Sequence, residues 1–164
     1  MPLILRGLDS CDVDSLVELS LRAWEPVFAA WREALGNRVY RLAYPDWRRT
    51  QAAVVRAACE TNPSTTVVAV LDGRVVGFAV VVLGEADDVG TRPADLELVA
   101  VDPAAQRQGI GHRLVEAAVT IMREAGCDYA NVWTGGDDGH APARALYESE
   151  GFAALPVVHY YRAL

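Results

Sequence analysis

The sequence predicts an α/β fold, a mixed central β-sheet flanked by helices in a single domain, and three features carry that reading. A helical stretch follows a short opening strand. Two β-branched runs are joined by Asp72-Gly73, a dipeptide suited to a tight hairpin. From residue 94 onward strands alternate with helices, as in a sheet with crossover connections.

Residues 3–6 read as the first strand. Asp9-Ser10-Cys11-Asp12 then offers capping oxygens and negative charge for a helix start. Val13, Leu16, Val17, Leu21 and Trp24 follow at helical spacing. Pro26 lacks an N–H, so the pattern predicts one helix ending near Ala23 and a second over 26–35, stopped by Gly36-Asn37. A further helix should begin at Pro45-Asp46, carry Trp47, Ala52, Val55 and Ala58, and end before Asn62-Pro63.

Strands are expected over 65–71 and Arg74–Leu83, then a polar loop to residue 93 with Asp87 and Asp88, then a buried strand over 94–101. Asp102-Pro103-Ala104-Ala105 and a glycine turn lead into an amphipathic helix over 110–125, closed by Gly126. Strand 128–134, the loop Gly135-Gly136-Asp137-Asp138-Gly139, a helix over 141–150 and a last strand over 157–162 complete the chain. No repeat, low-complexity run or interdomain linker interrupts it.

Composition narrows the function. With 164 residues, 52% of them apolar, the chain can fill one core without disulfides or a structural metal. Cys11, Cys59 and Cys127 are odd in number and widely spaced, and read as reduced thiols in a cytoplasmic protein with no metal site. No signal peptide or membrane-spanning run is evident. A net charge of −7 argues against nucleic acid as a partner and suits a neutral or cationic substrate. All 15 basic residues are arginine, so no lysine is present to be acylated.

Gln106-Arg107-Gln108-Gly109-Ile110-Gly111 lies between a strand and a helix. A helix N-terminus exposes unpaired N–H groups and the positive end of the dipole, and glycines there let a phosphate approach. No acid falls between Asp102 and Glu116, while Arg107, His112 and Arg113 lie near the turn. Two readings stand: a pyrophosphate cradle, or a close-packed strand-to-helix connection. Leu114 is too large for the third small position of a dinucleotide fingerprint, and a P-loop needs a lysine the chain lacks.

Leu98-Val99-Ala100-Val101-Asp102-Pro103 followed by Gln106-x-x-Gly109-x-Gly111 resembles the acyl-CoA-binding motif of the GNAT N-acetyltransferase superfamily. Ala143-x-x-Leu146-Tyr147-Glu148-x-x-Gly151-Phe152 is similar to that family's second cofactor segment. The match covers residues 66–153, the acyl-CoA-binding core, and leaves 1–62 as a helical, acceptor-side region. The resemblance implies that acetyl-CoA is the co-substrate. Val99, Ala100 and Val101 would pair with its pantetheine arm, and Gln106, Arg107, Gln108, Gly109, Ile110, Gly111 and His112 would hold its pyrophosphate. His140 stands where the family often has an asparagine, and its imidazole can still bond the pantetheine or order the loop.

The implied reaction is direct attack by a primary amine of a small molecule in a ternary complex. A peptide or protein N-terminal amine, or a non-catalytic CoA-binding module, are the alternatives. Tyr147 would be the acid for the departing thiolate. Glu97, an acid in an otherwise apolar strand, is the candidate base, unless an arginine satisfies it structurally. His140 and His159 are weaker candidates. Trp24, Trp31, Tyr40, Tyr44 and Trp47, with Glu25, would either bind a cationic acceptor or pack the helices. A homodimer is a family expectation.

Overall fold

The computed structural model describes residues 2–164. Strand β1 (Ile4–Gly7) leads through a 3-10 turn into α1 (Val13–Ala43), and α2 spans Trp47–Thr61. β2 (Thr66–Leu71), β3 (Arg74–Leu83) and β4 (Pro93–Val101) follow, then α3 (Ile110–Glu124), β5 (Tyr129–Asn131) and α4 (Ala141–Ser149). The sheet has five strands in the order β1-β2-β3-β4-β5, antiparallel except for the parallel β4–β5 pair. The mixed sheet expected from the sequence is present.

The start signals act as expected. Asp9 accepts from the Cys11 N–H at 3.1 Å, and the Asp12 carboxylate returns to the Asp9 N–H at 2.8 Å. Asp46 accepts from the Arg49 N–H at 3.2 Å at the head of α2. Asp72 (φ 51°) and Gly73 (φ 74°) are both left-handed, the backbone a two-residue hairpin turn requires.

Helices cover both faces of the sheet. Val13, Leu16, Leu19, Val55 and Cys59 from α1 and α2 pack on Val68, Phe78, Val80, Leu98 and Ala100. Ile110, Leu114, Val115, Ala118 and Met122 from α3, with Tyr147, pack on Val67, Ala69, Ala79, Val81, Ala94 and Leu96. β4 therefore changes faces midway: Leu96 belongs to one layer and Leu98 to the other. A bulge is the cause. Val80 pairs with Leu98 and Val81 with Leu96, so Glu97 is an extra residue without a partner in β3.

Three expectations need correction. The helix does not divide at Pro26; α1 runs through it and departs from helical geometry at Gly36 (φ 71°, ψ 157°). Proline removes the bond to the Arg22 carbonyl, at a typical cost of ~3 kcal/mol, but Val27 and Phe28, the next residues, are buried and hold the helix in place. β5 is three residues rather than seven, pairing only with the first three residues of β4. The last strand does not form: 152–164 has no regular structure, and Leu155, Val157, Val158 and Tyr160 are all more than two-thirds exposed or nearly so. A β5 edge of three residues offers too short a ladder to recruit it.

Candidate active site

The short β5 leaves residues 96–101 of β4 without a neighbour on that side. A cavity of about 890 Å³ occupies the gap. β4 supplies one wall and the N-terminus of α3 another. Trp24, Pro26 and Val27 of α1, residues 132–134 after β5, and Gly139, His140 and α4 complete the lining.

At the α3 end, Gly109 takes φ 75° and the first turn carries no acid and no side-chain cap. The opening N–H groups of the helix are thus unpaired and face an acid-free turn, which fits an anionic pyrophosphate. A Cβ on Gly111 would stand 3.1 Å from Leu146 Cδ2, so this glycine also lets α3 and α4 approach. Arg107 adopts φ 62°, a conformation uncommon for a side chain-bearing residue. Gln106 donates from Nε2 to the Val101 carbonyl at 3.2 Å, tying the turn back to the end of β4.

Most residues singled out from the sequence meet here. Glu97, Val99, Ala100, Val101, Gln106, Arg107, Gly109, Ile110, Gly111, His112, His140 and Tyr147 all line the cavity, while Gln108 does not. Two basic groups have other engagements. Arg113 donates to the Leu3 carbonyl at 3.1 Å, and His112 Nδ1 lies 2.7 Å from Glu150 Oε1, an acid delivered from the end of α4. The acid-free sequence window thus has a carboxylate beside it in space.

Glu97 is exposed to the cavity and pairs with no arginine among the described residues. The bulge explains how an acid is tolerated in an apolar strand, because the extra residue is turned out of both layers. Tyr147 is 8% exposed and its ring lies 5.9 Å from that of Phe152. Burial pushes its hydroxyl up to about 12, so it remains protonated throughout the neutral range.

The aromatic residues divide. Trp24 lines the cavity. Trp31, Tyr44 and Trp47 pack around buried Phe28, with centroid distances of 5.0, 5.7 and 4.3 Å, and Tyr40 leans on Tyr44 at 5.7 Å. Glu25 is taken up by Arg48 at 2.7 Å. The helices are therefore packed by most of this cluster. His159, in the tail, stacks on Tyr161 at 4.3 Å and is not among the residues around the cavity.

From the sequence, Asp137 and Asp138 either line the acceptor mouth or solvate their loop; neither is among the residues lining the cavity, and Asp137 instead holds the loop together. Asp137 Oδ2 accepts from Trp31 Nε1 at 3.0 Å and lies 2.7 Å from His140 Nδ1. Arg144 donates to the carbonyls of Gly135 (2.6 Å) and Asp137 (2.7 Å). Burial raises the Asp137 carboxyl, but the bonds from His140 and Trp31 outweigh it and hold it below its ordinary value. Only the density of glycine around an acid and a histidine hinted at this arrangement.

Among the described residues no helix is long and apolar enough to cross a membrane, and no cluster of His, Cys, Asp and Glu could hold a metal ion. Cys59 is buried, its thiol pushed up to about 11 by burial.

Known proteins resemble the chain in both sequence and shape. The profile of the Acetyltransferase (GNAT) family matches residues 24–152. A mycothiol acetyltransferase of Clavibacter michiganensis is 37% identical over 92 residues, 56% of this chain and 26% of that protein. The [ribosomal protein bS18]-alanine N-acetyltransferase of Escherichia coli is 39% identical over 83 residues, 49% of each chain. This chain thus spans half or less of the length of these curated relatives. The PaiA N-acetyltransferase of Thermoplasma acidophilum, solved with coenzyme A, superimposes with a TM-score of 0.69 at 17% identity, over 96% of this chain and 94% of that one. An aminoglycoside acetyltransferase from an uncultured soil metagenomic sample, solved with trehalose, gives 0.62 at 25% identity over 99% and 96%. With more than half of its length matched, the chain belongs to the acetyltransferase (GNAT) family.

Proposed function

We propose that the protein transfers an acetyl group from acetyl-CoA to the primary amine of a small molecule, by direct attack in a ternary complex. The observation that carries this reading is the cavity beside β4, which joins an uncapped helix N-terminus to an unpaired carboxylate and a buried tyrosine. The N–H groups from Gly109 to His112 would receive the pyrophosphate, and the free edge of Val99–Ala100–Val101 the pantetheine arm and the thioester oxygen. Tyr147 would give its proton to the departing sulfur. Glu97 would hold the acceptor's ammonium by charge beside the thioester.

The volume of about 890 Å³, with Trp24 and Pro26 in its lining, favours a compact acceptor. The similarity to the bS18-alanine N-acetyltransferase supports a second reading, in which the acceptor is a peptide N-terminus. The test is thiol release from acetyl-CoA with polyamines, aminoglycosides, amino acids and peptides. Turnover with a small amine and not with peptides supports the first reading, and the reverse pattern the second. Acetyl-CoA binding without thiol release from any of them would leave a CoA-binding module. Failure to bind acetyl-CoA overturns all three.

A further inference from the structure

We propose that His140, held by Asp137, is the catalytic base that removes the proton from the acceptor's ammonium, with Glu97 confined to anchoring it. This rests on the acetyl-transfer reading above and assigns its proton acceptor.

The pair is built from two directions. Asp137 is fixed from α1 by the Trp31 N–H and from α4 by Arg144, which clamps the backbone on both sides of it. His140 and Asp137 are only 14% and 19% exposed at the side chain. A carboxylate can only accept, so Nδ1 carries the ring proton and donates it to Asp137 Oδ2 at 2.7 Å. The neutral ring then presents a lone pair on Nε2, which has no protein partner among the described residues, and His140 is part of the cavity wall. The other Asp137 oxygen is buried without a donor, so the carboxylate answers chiefly to Trp31 and His140.

The loop glycines serve this pair. A Cβ on Gly135 would overlap Asp137 Oδ2 and His140 Nδ1, and one on Gly139 would come within 2.8 Å of Val27 Cα and 3.0 Å of Asp137 Oδ1. Neither glycine has the positive φ that would otherwise explain it. The glycines thus bring a carboxylate against an imidazole in a space that larger residues would fill.

Chemistry favours this pair over Glu97. An ordinary carboxylate titrates near pH 4 and an imidazole near 6.5, so the imidazole is much the better matched base for an alkylammonium. Asp137 orients the ring and stabilises the imidazolium once formed, acting as a positioning residue. Nε2 takes one proton from the ammonium. The freed lone pair forms the C–N bond to the thioester carbon, the C–S bond breaks, and the sulfur takes the Tyr147 proton. Tyr147 regains a proton from the nitrogen of the new amide, and His140 releases its own to solvent. One proton is lost overall for each acetyl group moved.

The titratable groups around the cavity are Glu97 on β4, Arg107 before α3, His112 on α3, and His140 and Tyr147 on the loop and α4. α1 meets the pair with uncharged Trp31, Asp137 and Arg144 bind within the loop, and Asp138 adjoins it in sequence. His112 is engaged by Glu150, so a limb from His140 is separable by substitution.

Two measurements test the assignment. The first needs no acceptor: nitrogen-15 chemical shifts of the histidine rings at alkaline pH, with the His140 signals identified by their loss in His140→Gln. Nδ1 should be protonated and Nε2 bare, and the reverse tautomer overturns the proposal. The second follows kcat/KM for the best amine of the panel from pH 5.5 to 9. The wild type should rise with pH along a single ascending limb. His140→Gln should lose that limb and fall about 100-fold at pH 7. Asp137→Asn, of nearly the same shape, should move the limb to lower pH and lower the rate about 10-fold, because the imidazolium loses its countercharge. Glu97→Gln should raise KM for the amine and keep the limb. A limb that survives His140→Gln, or that disappears with Glu97→Gln, overturns the proposal. A panel without any turnover refutes the acetyl-transfer reading instead, and the tautomer still decides whether His140 is built as a base.

Discussion

Tyr147 sits among core residues, yet its hydroxyl is the part of the side chain to which the proposed transfer assigns a role. Tyr147→Phe keeps the ring against Phe152 and removes only that hydroxyl. Turnover should fall by about one to two orders of magnitude, while acetyl-CoA affinity and the thermal midpoint stay near wild type. Unchanged turnover in a thiol-release assay would remove the residue from the mechanism. Gly109 is the opposite case, important for its backbone alone. A Cβ there meets nothing within 4 Å, but φ is 75°. Gly109→Val would therefore force the turn into another conformation, at roughly 1–2 kcal/mol for the left-handed backbone. Acetyl-CoA binding should disappear in calorimetry while the circular dichroism spectrum is retained.

At the scale of elements, close approach sets the tolerances. Gly77 on β3 lies under α3, where a Cβ would stand 2.9 Å from the Ala100 carbonyl and 3.0 Å from Leu114 Cδ1. Gly77→Ala must push strand or helix aside and should cost about 1–3 kcal/mol, read from denaturant midpoints. The hairpin, the α2 start and the glycine-turn helix were legible because local chemistry specifies them: Asp72-Gly73, Asp46 and Gly109 each act within a few residues. Pro26 misled because burial of Val27 and Phe28, a tertiary effect, overrides a local prohibition. The expected strand over 157–162 failed for a similar reason, since its alternation is real but the edge it needs is three residues long. Glu97 was conspicuous as an acid among apolar neighbours, whereas Asp137 was one acid in a polar loop. Its importance arises from Trp31, 106 positions away, and no local pattern reports that contact.

Three carboxyl groups spread over the molecule are held below their ordinary range, and acid should expose the consequence. Asp12 receives two bonds from Arg6 at 2.6 and 2.8 Å, and the guanidinium holds its carboxyl below the ordinary value. Burial raises Asp102, but bonds from Arg22 and the Ala104 N–H lower it by more, joining α1 to the end of β4. Asp137 is lowered as well. Each group binds a proton less readily folded than unfolded. The stability they contribute is complete above the ordinary carboxylate range and is lost as pH falls through that range and below it. The thermal midpoint should be nearly flat from about pH 7 to 5.5 and decline below about pH 4. Arg6→Ala should lower the plateau and make the acid decline shallower, measured by calorimetry across pH.

A bulge is also a place where a sheet counts one residue too many, and that bears on how the gene could change. Excising Glu97 alone would leave Val80 opposite Leu98 and Val81 opposite Leu96, the partners they already have. Leu96 and Leu98 would become sequence neighbours pointing to opposite layers, as they do now. A lost codon, ordinarily ruinous within a strand, would here mend the ladder, straighten β4 and narrow the opening beside β5. The expected product is a well-folded protein whose cavity beside β4 is narrowed, one in-frame deletion from the parent sequence.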